Sequence, residues 1–145
     1  GNTLGDPKLG KLPLECGVRI IAAHVASYGE REGVENIERL LEMMPEFPNL
    51  YADISTLTQM NRSRYLPQVL NDERLKGRLM YGTDYPLTNT PFVTALQFPL
   101  RLTIREMADI VLTKNSWDRD VKLKAALGCP KEVFELSRSL LKLSS

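Results

Sequence analysis

Three short apolar runs punctuate the chain, and each is followed by a stretch whose apolar positions recur at helical spacing. The runs are Val18–His24 (VRIIAAH), Asn49–Ser55 (NLYADIS) and Arg78–Asp84 (RLMYGTD). Runs of this length bounded by turn residues predict buried strands. They begin at intervals of roughly thirty residues, the length of one strand-plus-crossover-helix unit. Between the first two, Glu32–Met44 sets Val34, Ile37, Leu41 and Met44 three and four apart, which predicts an amphipathic helix. Pro45 and Pro48 end it, because neither continues a helix without losing a backbone hydrogen bond. The second connection, Asn61–Leu70, offers Tyr65, Leu66, Val69 and Leu70 as one apolar face, with Pro67 inside it. Ahead of the first strand, Asp6-Pro7 reads as a helix N-cap with proline at the first helical position. That helix closes near Cys16-Gly17 and is short or bent at Pro13.

After Asp84 the pattern changes. A proline-containing loop, Tyr85–Pro99, leads to three helical segments and no further strand. Thr103-Ile104-Arg105-Glu106 has the form of a capping box, with Ile104, Met107, Ala108 and Val111 on one face. Asp118–Leu127 ends at Gly128, a C-terminal cap, and Pro130–Lys142 turns Val133, Leu136 and Leu140 inward. Trp117 reads as a packing anchor for this tail, with Asp118 or Asp120 capping the next helix. One domain over 1–145 is expected: a helix in 1–17, three βα units in 18–99 and closing helices in 100–145. Strands alternating with helices imply an α/β fold with parallel strands. Three strands are few for a free-standing parallel sheet, which needs cover on both faces.

Composition narrows the function classes. A formal net charge of +1, with no long run of one sign, gives no electrostatic footprint for nucleic acid or an anionic membrane. No apolar run approaches a bilayer span, and the start, GNTLGDPKLG, has no secretory pattern. Cys16 and Cys129 stand far apart in no metal-ligand spacing, so reduced thiols in a cytoplasmic protein are the simplest reading, with one disulfide as the other. Both cysteines read as small buried fillers, and Met43, Met44 and Met107 as core residues. His24 is the sole histidine.

Parallel sheets collect function at the carboxyl ends of their strands. The first run ends at His24 and the third at Asp84. Side chains alternate along a strand, so Ile20, Ala22 and His24 share one face, as do Met80, Gly82 and Asp84. On the middle strand Tyr51, Asp53 and Ser55 share a face, and Ser55 lies nearest the active end. An imidazole and a carboxylate at adjacent strand ends suit either divalent-metal ligation or proton exchange with water or substrate. The competing reading is structural: a hydrogen-bonded strand-end histidine, and Asp84 as an Asx-turn or cap before Tyr85-Pro86. Asp53 reads as a sheet-face or loop-closing residue rather than a catalyst.

The segments GVRIIAAHVAS, NLYADIST and GRLMYGTDYPL together resemble the carboxyl-terminal part of the amidohydrolase superfamily, in the branch that includes decarboxylases, hydratases and lactonases. The tail NSWDRDVKLKAALGCPKEVFELSRSLL is similar to the closing helices of some members. The resemblance covers nearly the whole chain and implies strands six to eight of a (β/α)8 TIM barrel. It implies His24 as acid/base, water-orienting residue or second-metal ligand, and Asp84 as metal ligand and proton acceptor. It further implies a divalent metal, zinc above all, in a complete metal-dependent hydrolase acting through metal-activated water on a carbonyl-type small molecule. Members usually bring a His-x-His pair from strand one, and this chain has no second histidine. The expectation is therefore a fragment, inactive alone and without a complete metal site, which self-associates or meets a partner carrying the missing strands. The alternative is a non-catalytic α/β interaction module, a degenerate barrel remnant. Substrate contacts are not assigned, although Tyr85 and the Thr88–Pro91 loop have a suitable placement.

Overall fold

The structure, a computed structural model, describes residues 5–59, 61–84 and 101–141. The loop expected at Tyr85–Pro99 lies outside them, with the Tyr85 and Thr88–Pro91 positions. The fold is mixed α/β: a three-stranded parallel sheet, a two-stranded antiparallel pair and six α-helices among the described residues. Early in the described residues come a 3-10 turn, Pro7–Gly10, and helix α1, Lys11–Glu15. Asp6 caps the turn by accepting from the Lys8 amide at 3.0 Å. Pro13 sits in the first turn of α1, where its missing N–H has no intrahelical acceptor to lose. Gly17, at φ 81°, reverses the chain after Cys16, as the left-handed position following a helix requires.

The parallel sheet consists of β1 (Ile20–Ala22), β4 (Leu50–Asp53) and β5 (Leu79–Met80), with β4 in the middle. All three lie within the runs expected as strands. Ile20 pairs with Leu50, Ala22 with Ala52, and Ala52 with Leu79, so these residues share one face; Asp53 pairs with Met80 on the other. The first face is the core face, where Leu50, Ala52 and Ile54 are buried with Ile37, Leu40 and Leu41 of helix α2 (Asn36–Met43). Met43, Met44 and Cys129 are buried in the same core. The second face is more open: Ile21 is 37% exposed, and Tyr51 and Asp53 are half-buried.

Helix α2 begins later than its apolar stripe suggests. Glu32 and Gly33, both at positive φ, form the two-residue turn joining β2 (Glu30–Arg31) to β3 (Val34–Glu35). Two positive φ angles in succession suit the twist of a tight hairpin, and they leave Val34 exposed at 38% rather than on the helix. Helix α3, Tyr65–Asn71, likewise starts late, which puts Pro67 in its first turn, where proline is tolerated. Arg78 ties the start of β5 to the end of α2, donating from Nη1 to the carbonyls of Met44 at 2.5 Å and Phe47 at 2.8 Å.

The tail forms α4 (Ile104–Leu112), α5 (Ser116–Ala126) and α6 (Lys131–Leu140). The capping box of Thr103 and Glu106 is present. Asn115 caps α5, accepting from the Trp117 and Asp118 amides, so neither Asp118 nor Asp120 does. Trp117 is 57% exposed and is not the expected anchor. Cys16 is exposed rather than a buried filler, and both thiols are free. The sheet's two edges also differ. The Tyr81 amide donates to the Val133 carbonyl of α6 at 2.9 Å, which covers the β5 side. No strand among the described residues pairs with the outer side of β1.

Candidate functional site

At the carboxyl end of each parallel strand the backbone turns left-handed at a residue other than glycine. His24, Thr56 and Asp84 have φ of 56°, 57° and 56°, and Val25 and Ala26 continue the turn after His24 at 52° and 50°. Such a conformation costs about 1–2 kcal/mol per L-residue, least for aspartate, whose short side chain bonds locally. A β-branched residue such as Val25 is a marked outlier there. Strain of this kind persists where surrounding contacts over-determine it.

The contacts that hold His24 come from the end of β4 and the residues just after it. Its amide donates to Asp53 Oδ1 at 3.0 Å, and its ring Nδ1 lies 2.6 Å from Ser55 Oγ. Asp53 Oδ1 also accepts from the Ser55 amide at 3.0 Å and from the Ser55 hydroxyl in a short bond. On the far side of the ring, Nε2 is 3.8 Å from Asp84 Oδ2. Ser55 is 3% exposed, whereas the side chains of His24, Asp53 and Asp84 retain 24%, 21% and 31% exposure. A buried hydroxyl thus underlies three solvent-reachable polar groups.

Strict alternation would have put His24 with Ile20 and Ala22 on the core face, opposite Asp53 and Met80. The left-handed turn carries the ring to Asp53, Ser55 and Asp84 instead. His24 and Asp84 are also not on adjacent strands; β4 separates them, and their side chains meet over its end. Gly82 makes room below. A Cβ there would lie 3.2 Å from Ser55 Cβ and 3.4 Å from Asp53 Cγ.

Asp53 reads from the sequence as a sheet-face or loop-closing residue, and its bonds to the Ser55 and His24 amides are of that kind; its contact with His24 is what the sequence did not indicate. A cavity of about 510 Å³ reaches His24 from another side, between the Pro7–Gly10 turn and β1, with Leu9, Ile20, Ala22 and Tyr28 on its wall. Asp53, Ser55 and Asp84 do not line it.

Beside β5 a second polar group is built around a buried lysine. Lys124 is fully buried, with Nζ 2.7 Å from Asp120 Oδ2 and 3.2 Å from the Gly82 carbonyl. Tyr81 donates its hydroxyl to Asp120 at 3.0 Å, and Thr58 Oγ1 lies 3.3 Å from the same carboxylate. Burial, reinforced by the Asp120 charge, raises the Tyr81 phenol far above its ordinary pKa. This cluster fastens α5 to the backbone two residues before Asp84.

Among the described residues, no group of three or more His, Cys, Asp and Glu side chains converges as metal ligands do. His24 Nε2 and Asp84 Oδ2 are two donors, whereas a catalytic zinc takes three from protein. The donor set on its own does not fit a resident zinc.

Comparison with protein-family models, with curated proteins and with solved structures finds no match to this chain.

Proposed function

We propose that the chain is the part of an amidohydrolase-type (β/α)8 barrel that carries strands six to eight, and that His24 and Asp84 act as an acid/base pair at its mouth. The observation that carries the reading is the 3.8 Å approach of His24 Nε2 to Asp84 Oδ2 at the carboxyl ends of a parallel sheet. The order β1-β4-β5, with consecutive parallel strands as neighbours, agrees with a segment of such a barrel. The reaction class is hydrolysis, or a related lyase step, at a carbonyl-type carbon of a small molecule. His24 exchanges a proton at Nε2 with water or substrate, and Asp84 accepts or stabilises the charge that results.

A divalent metal, zinc in the first instance, enters this reading only with donors from beyond the described residues. When bound, it supplies a water of lowered pKa. The outer side of β1, unpaired among the described residues and with Ile21 exposed, is the surface on which a further strand, from a second copy or from the rest of a longer barrel, would add.

The test uses the protein with its native flanking sequence, assayed on a panel of lactones, amides and keto-acids. His24→Asn and Asp84→Asn are each expected to lower turnover at least about 100-fold, the lower end of acid/base contributions, with the thermal midpoint unchanged. Turnover like wild type from either variant refutes the pair. Native mass measurement of the 145-residue chain reads self-association, and Ile21→Lys is expected to reduce it.

A further inference from the structure

We infer that Asp53 and Ser55 are positioning residues that fix the tautomer of His24, keeping the proton on Nδ1 and leaving the Nε2 lone pair towards Asp84. An ionised carboxylate only accepts hydrogen bonds. Asp53 Oδ1 therefore accepts a hydrogen bond from the Ser55 hydroxyl, as well as from the amides of His24 and Ser55. A serine hydroxyl has one proton. With that proton given to Asp53, Ser55 Oγ can only accept from His24, 2.6 Å away at Nδ1.

Nδ1 thus stays protonated in the neutral ring as well as in the cation, and every proton that comes or goes does so at Nε2. The other ring nitrogen's hydrogen bond is the usual determinant of which nitrogen is free to act. Here that determinant is buried and comes from the neighbouring strand, and the left-handed backbone at His24 brings the ring onto it. With Asp84 ionised, two acceptors then face one another across 3.8 Å. The space between them favours a proton, a hydrogen-bond donor or a cation over any other group. The inference deepens the acid/base reading and rests on it only for the word positioning; the tautomer itself follows from the hydrogen bonds.

Ring-nitrogen NMR of the ¹⁵N-labelled chain reads this directly, because His24 is the sole histidine. In the neutral ring, recognised by its own ring-nitrogen shifts at alkaline pH, wild type is expected to show Nδ1 protonated and Nε2 bare. Ser55→Ala removes the acceptor, so loss of the Nδ1–H form as the dominant species is expected; Ser55→Thr, which keeps the hydroxyl, restores it. A wild-type ring protonated mainly at Nε2 overturns the inference, as does a folded Ser55→Ala chain that keeps Nδ1 protonated. Should Ser55→Ala fail to fold, the wild-type spectrum decides alone. The turnover of His24→Asn is a separate result, so failure of the tautomer and failure of the acid/base pair are told apart.

Discussion

His24 Nδ1 lies 2.6 Å from Ser55 Oγ, and with the His24 amide on Asp53 this contact joins the end of the first parallel strand to the end of the second. It is made across a backbone that bends the wrong way for three residues, His24 to Ala26. The turn and the contact depend on each other. The Asp53 and Ser55 bonds hold His24 on the open face of the sheet together with the burial of Val25 in the core, and strict alternation without the turn would send the ring after Ile20 and Ala22 to the core face.

Gly82→Ala is expected to disturb this arrangement without touching His24. The new Cβ would meet Ser55 Cβ at 3.2 Å and Asp53 Cγ at 3.4 Å, and neither is the loose end of a flexible side chain. Overpacking of this kind typically costs about 1–3 kcal/mol. Urea denaturation should show a loss in that range, and the His24 ring signals should shift with it. Gly82 does not have a positive φ, so an unchanged midpoint would mean that β5 moves aside.

The three parallel strands were legible because each is an apolar run ended by a turn, and the capping box at Thr103 because its chemistry is local; the β2–β3 pair was not, since Val34 fell on the expected helical stripe. Helix starts were legible only in part. Pro67 and Gly33 delayed α3 and α2 for reasons written in the sequence, namely that proline fits the first turn and glycine a hairpin. The site was half legible. His24 and Asp84 stand at strand ends, but their common face depends on left-handed geometry at a histidine and a valine, which no residue preference announces. Lys124 was not legible at all. A lysine in a helix is ordinarily solvated, and its burial here depends on Asp120 one turn earlier in the same helix meeting the Tyr81-Gly82 segment after β5.

Lys124→Met is expected to be among the more damaging single changes in the tail. Removing one partner of a buried ion pair leaves the other charge uncompensated and typically costs about 3–5 kcal/mol. Asp120 would retain the Tyr81 and Thr58 hydroxyls, which places the loss towards the lower end. The double change Lys124→Met with Asp120→Leu should be less destabilised than the sum of the single changes, since the stranded carboxylate is gone. A double-mutant cycle by chemical denaturation measures the difference, and strict additivity would show that the pair is not coupled.

The two thiols should differ sharply in reactivity. Cys16 is exposed at the end of α1, whereas burial pushes the Cys129 thiol from 9.0 up to about 11. The thiolate is the nucleophile, so at about pH 8 Cys129 is both hidden and protonated. Alkylation of the native chain followed by mass analysis should give one modified cysteine, Cys16. Two equivalents of label under native conditions would mean that the α5–α6 junction opens readily.

Alkaline pH should destabilise the fold through Tyr81 and Cys129 together. Both groups are neutral when protonated, and burial raises both pKa values in the folded chain. The unfolded chain therefore releases these protons first, from about pH 9 for the thiol and about 10 for the phenol. Their contribution is complete below the unfolded values and declines as pH rises above them. For Cys129 the decline ends at about 11, where the folded thiol also ionises; for Tyr81 it continues beyond. Thermal midpoints measured from pH 8 to 11 should fall steadily above 9. In Tyr81→Phe the fall above pH 10 should be shallower, although the variant starts lower because Asp120 loses a donor. Equal slopes in wild type and Tyr81→Phe would show that the phenol is not protected by the fold, and that the Lys124–Asp120–Tyr81 cluster opens to water well before global unfolding.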